Sequence, residues 1–74
     1  MNKYIVAHVN QFDNELTQTL IEAESDLDAA LLYLGLKQDC VFDPSEQERF
    51  TDLGKLIETC YDMDMNISVF KIEV

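Results

Sequence analysis

The stretch KYIVAHVN, residues 3 to 10, constrains the fold more than any other part of this chain. It is dense in β-branched and aromatic side chains, which suit a pleated strand. Both of its faces are largely apolar: Ile5, Ala7 and Val9 on one, Tyr4 and Val6 with His8 on the other. A strand of that kind belongs inside a sheet, with neighbours on both edges. The chain has 74 residues, enough for a single domain, 1–74, with a compact core and a thin margin of stability.

The partner strands can be read on either side of helical sequence. QFDNE follows the first strand, and its Asp13 and Asn14 supply turn chemistry. ELTQTLIEAE, residues 15 to 24, then returns as a second strand, making a hairpin. At the other end NISVFKIEV, residues 66 to 74, alternates as a third strand. Ser68, Phe70, Ile72 and Val74 share one of its faces; Ile67, Val69, Lys71 and Glu73 share the other.

Two helices are expected between them. Ser25 offers an N-cap, with Asp26 and Asp28 in the first turn where the helix dipole favours acids. Leu27, Ala30, Leu31 and Leu34 recur at helical spacing, and Gly35 is placed to close the helix in a left-handed conformation. In DPSE, Asp43 takes the N-cap of the next helix, Pro44 its first position and Glu46 the capping-box position. That helix is expected to run from Pro44 to about Tyr61. Its apolar stripe is Phe50, Leu53, Ile57 and Cys60, widened by Leu56 and Tyr61, with Gly54 inside it. The resulting order, ββααβ, predicts an α+β two-layer sandwich: a three-stranded sheet with two helices on one face. An inner first strand gives the order 2-1-3, with the last strand parallel to the first; 1-2-3 is the alternative.

Charge narrows the function. Fifteen acids against five bases give a net charge of −10, while 47% hydrophobic residues argue for a folded chain rather than an acidic tail. Such a protein repels nucleic acid and anionic membranes and attracts basic surfaces. No signal peptide or membrane-spanning stretch is read, so a cytoplasmic location is expected. Cys40 and Cys60 form neither a metal motif nor a disulfide framework and read as small core residues. His8, the single histidine, has no partner at a motif spacing and reads as structural or surface. With no phosphate loop or catalytic triad either, the chain is not expected to be an enzyme or to need a cofactor.

DMDMNISVFKIE, residues 62 to 73, places Asp62, Asp64, Asn66 and Glu73 at positions 1, 3, 5 and 12 of an EF-hand loop. Position 6 is Ile67 where the turn needs Gly, and strand periodicity follows it. The segment therefore reads as an acidic helix-to-strand connection, with weak cation binding at Asp62 and Asp64 as an alternative. The remaining acids suggest a contact surface. Glu22, Glu24, Asp26 and Asp28 have no base among them; Glu48 and Asp52 are four apart on the expected second helix; Asp62 and Asp64 extend its end. These eight are the candidate partner-binding residues. Carboxylates held on a rigid scaffold imitate a phosphate track and compete for sites built from Lys and Arg.

FDNEL (12 to 16), EAES (22 to 25) and DAALLYL (28 to 34) resemble small phage-encoded proteins with the same succession of strand, turn, strand and helix start. The ββααβ order and the acidity are also similar to small phage inhibitors, including anti-CRISPR proteins that act as DNA mimics. The first likeness implies a phage protein of a kind mostly without assigned activity; the second, architectural one implies a viral, host-takeover inhibitor, in the host cytoplasm, of a nucleic-acid-handling protein such as a CRISPR effector, nuclease or polymerase. Neither shares a functional motif, so no residue role is carried over. The second expectation is a structural or assembly protein that homodimerises through an apolar sheet face.

Overall fold

The computed structural model describes residues 1–72. Strands β1 (Asn2–Asn10) and β2 (Leu16–Ala23) form the hairpin, followed by helix α1 (Asp26–Lys37). A single helical turn, α2 (Pro44–Gln47), precedes helix α3 (Leu53–Asp62) and strand β3 (Met65–Ile72). The sheet order is β2-β1-β3, so β1 is the inner strand, and both pairings are antiparallel. Glu73 and Val74, assigned to the last strand from sequence, lie outside the described residues.

Alternation along β1 sets the two layers. Tyr4, Val6 and His8 are buried beneath the helices, with Ile21 and Ala23 of β2 and Ile67 of β3 on the same side. Ala29, Ala30, Tyr33 and Leu34 of α1 and Leu56 and Cys60 of α3 complete the core, and Phe42 enters it from the loop after α1. Ala29 and Ala30 are both fully buried. Their small side chains let α1 approach the sheet closely.

The local start signals act as the sequence implies. Ser25 Oγ accepts from the Asp28 N–H at 3.1 Å, and Asp43 makes the full capping box with Glu46. Asn14 takes φ 57° in the hairpin turn, where Asp13 Oδ1 accepts from the Glu15 N–H at 2.9 Å. The stop signals differ. Gly35 does not end α1: no glycine has positive φ, and the helix continues to Lys37. Asp39 takes the left-handed position instead, at φ 51°, and the Cys40 N–H donates to the Leu34 carbonyl at 3.0 Å. A short polar side chain tolerates that conformation better than other L-residues do.

The expected helix from Pro44 to Tyr61 is broken, and this is the main correction. Its first turn stops at Gln47, and Asp52 starts a new helix by accepting from the Lys55 N–H at 3.0 Å. Between them Phe50 turns inward to meet Phe42 edge to face, with centroids 5.0 Å apart. Glu48 and Asp52 therefore do not share a helix face. Gly54 falls in the first turn of α3, and Tyr61, expected on the apolar stripe, is 62% exposed.

The break also corrects the direction of β3. α1 leads from the end of the sheet where β1 begins toward the end where His8 and Asn10 lie, since Tyr33 and Gln38 reach His8. One unbroken helix would return directly and deliver an upward, parallel β3. Instead, residues 38 to 52 carry the chain back across the molecule. α3 then ends beside Asn10, and Met65 pairs with it. A two-residue connection, Met63 and Asp64, suffices, with Asp64 at φ 63°.

Candidate functional site

Two surfaces stand out, one at a corner and one on the open side of the sheet. The corner is where β2 hands over to α1. Asn2 Nδ2 donates to the Glu24 carbonyl at 3.3 Å, which holds the end of β2 in place. Asp26 Oδ1 accepts from the Leu27 N–H at 2.7 Å, and the Ser25 cap fixes Asp28 one turn further on. Glu22, Glu24, Asp26 and Asp28 are all exposed here. Glu22, Glu24 and Asp28 border a depression of about 520 Å³ along the flank of α1. Its floor is apolar: Met1, Leu31, Leu32 and Leu36, with Gly35 and Gln47 at its margin. Leu36 and Met1 are 70% and 89% exposed, so the floor is open to a partner.

The other predicted acids lie elsewhere. Glu48 caps the C-terminal end of α2 and Asp52 the N-terminal end of α3. Asp62 and Asp64 lie at the opposite end of the sheet from Glu22, which pairs with Lys3, because β3 starts opposite Asn10. A strand from Lys3 to Asn10 is about 23 Å long. The eight acids are thus divided between separate parts of the surface, and four gather at the β2–α1 corner.

The EF-hand spacing has a different outcome. β3 begins at Met65, so Asn66 lies in the ladder opposite Val9 and Ile67 is buried opposite His8. Pairing keeps the segment extended where a calcium loop must turn. Its last template position, Glu73, lies outside the described residues. Among the described residues no three or more His, Cys, Asp or Glu side chains gather as a metal group.

His8 has a structural environment. Its Nδ1 lies 3.0 Å from the Tyr33 hydroxyl and 3.3 Å from Gln38 Nε2, and Gln38 also donates to the Tyr33 hydroxyl at 3.0 Å. An amide nitrogen only donates, so Nδ1 takes the acceptor role in its contact with Gln38. Cys60 is fully buried and Cys40 half-buried against the core, and both are free thiols. Burial, reinforced by the neighbouring Cys40, pushes the Cys60 thiol up to about 11. Burial and the Glu46 carboxylate also raise Cys40. Neither is an activated nucleophile. The hydroxyl of Ser45, followed by the Glu46 backbone N–H, holds Asp43 below the ordinary carboxylate value.

The open side of the sheet carries the second surface. Leu16, Leu20 and Phe70 are 56%, 60% and 59% exposed there, beside half-buried Ile5, Ala7, Val9 and Ile72. The hydrophobic alternation of the strands signalled this face; which side the helices would cover was not readable. Leu31, Leu32 and Leu36 at the corner were missed as partner-facing residues, because an apolar residue in a helix reads first as core.

Comparison with protein-family models, with curated proteins and with solved structures found no match. Among the described residues no helix is long and apolar enough to cross a membrane.

Proposed function

We propose that this protein is a non-enzymatic binder of a basic partner, such as a nucleic-acid-handling protein, and that it docks by the β2–α1 corner. The observation that carries the proposal is the acid-rimmed apolar depression: Glu24 and Asp28, with Glu22 at its margin beside Lys3, around Leu31, Leu32 and Leu36. Carboxylates alone attract any cation. A rim of carboxylates around an apolar floor selects a segment with Lys or Arg flanking apolar anchors. The net charge of −10 steers such a partner toward the molecule and keeps nucleic acid away, so binding there competes with nucleic acid for the partner. The ββααβ order and the acidity, which are similar to those of small phage inhibitors, support an inhibitory role in a host cytoplasm. In that role the corner is the contact, and Asp62 and Asp64 add only long-range field.

The test uses a helical peptide with alternating Leu and Lys/Arg faces as probe, and a scrambled peptide of the same composition as control. Amide shift perturbations are expected at Glu24, Asp28, Leu32 and Leu36. Affinity should fall with salt and drop at least tenfold in the double variant Glu24→Gln, Asp28→Asn. Equal binding of the scrambled peptide, or perturbations spread over Asp62 and Asp64 as much as the corner, would reject the site.

A further inference from the structure

We infer that the open face of the sheet is a self-association surface, and that two copies pack on it about a two-fold axis running across the strands between Ile5 and Ala7. The first observation is charge. The chain carries −10 overall, yet the open-face positions of the three described strands hold only one acid and one base, Glu22 and Lys3, and these pair directly across the ladder. The face is neutral on a strongly acidic protein. A cationic partner gains nothing there, whereas a second copy avoids the repulsion that its other surfaces would cause.

The second observation is relief. Register places Leu20, Ile5 and Phe70 in one row across all three strands. The next row is Gln18, Ala7 and Ser68. A ridge of large apolar side chains therefore lies beside a trough whose centre is small. A two-fold axis between the two rows, lying in the interface, reverses position along the strands and keeps position across them. It sets the ridge of each copy in the trough of the other: Ile5 over Ala7 of the second copy, Phe70 over Ser68. The strands remain close to aligned, as stacked sheets do within about 30°. The same axis sets the end rows, Glu22–Lys3–Ile72 and Leu16–Val9–Asn66, over one another, so that the single charged pair of the face lies at its margin.

The third observation is size. Three strands of eight residues make a face of about 14 by 26 Å in projection. That is roughly 360 Å² per copy, under the ~800 Å² per partner of a standard interface, so only a weak, reversible dimer is expected, populated toward the upper end of protein concentration.

Sedimentation equilibrium on the full chain tests this, from about 5 to about 500 µM and at low and high salt. The mass should rise from 8.5 kDa toward twice that value. Association should strengthen with salt, because screening relieves repulsion between like-charged copies; binding at the acidic corner has the opposite salt dependence. Phe70→Glu should leave the spectrum of the fold unchanged and abolish the dimer. Ala7→Leu fills the trough and should weaken association at least tenfold although it adds apolar surface. A monomer throughout the range at both salts would overturn the inference, and so would tighter association of Ala7→Leu, which would mean adhesion without register.

Discussion

The hydroxyl of Tyr33 and Nδ1 of His8, 25 positions apart in sequence, meet 3.0 Å apart in the core and tie α1 to the inner strand. The rings meet edge on, with centroids 6.1 Å apart at 75°. Tyr33 is 1% exposed and His8 9%, so both polar ends depend on this contact and on Gln38. Tyr33→Phe keeps the ring and removes the oxygen, leaving Nδ1 with the longer Gln38 contact alone. A loss of about 1–2 kcal/mol in urea unfolding is expected. An unchanged midpoint would show that the triangle contributes nothing net.

Gly35 lies inside α1, and a Cβ built there meets only Val41, at 3.8 Å, an ordinary contact. Gly35→Ala should therefore stabilise the protein by about 0.5–1 kcal/mol. A left-handed C-terminal glycine would give the opposite sign, so thermal unfolding of this one variant distinguishes the two helix ends.

Asp52 and Glu48 looked alike in sequence, as two carboxylates on one helix face. The structure gives Asp52 the N-cap of α3, whereas Glu48 is exposed after α2. Asp52→Ala should cost about 1 kcal/mol. Glu48→Ala should stay within about 0.5 kcal/mol. Equal costs would argue for a continuous helix through residues 48 to 52.

The Cys60 thiol is raised from 9.0 to about 11 by burial, so the folded state holds its proton where the unfolded chain releases it. Its contribution is complete below pH 9.0 and falls as pH rises through about 11, the window set by those two values. The loss should total roughly 2–3 kcal/mol. Cys60→Ala should remove that part of the slope while the Tyr and Lys contributions remain. The check is the difference between the two stability–pH curves; parallel curves would contradict a protonated buried thiol.

Start signals were legible because each is completed within one helical turn. Ser25 needs only the Asp28 N–H, and Asp43 only Glu46. The inner position of β1 was equally plain, since a strand apolar on both faces has no place at an edge. The break after α2 was not. Thr51 and Asp52 carry cap chemistry, but the surrounding apolar spacing continues as if unbroken, and the contact that decides the matter joins Phe50 to Phe42. The four corner acids were also legible, as a run without bases. Their apolar floor was not, because Leu31, Leu32 and Leu36 become a floor only once β2 and Met1 lie beside them.

The sequence by itself determined the α+β class, the inner strand, the helix starts and an acidic run at residues 22 to 28. Only the tertiary structure decided that β3 runs antiparallel, that three of the eight acids, Glu22, Glu24 and Asp28, border an apolar depression, and which sheet face stays open. Caps and alternation are satisfied by neighbours along the chain. Strand direction and surface composition depend on how often the chain crosses the helical layer, and packing between residues distant in sequence sets that number.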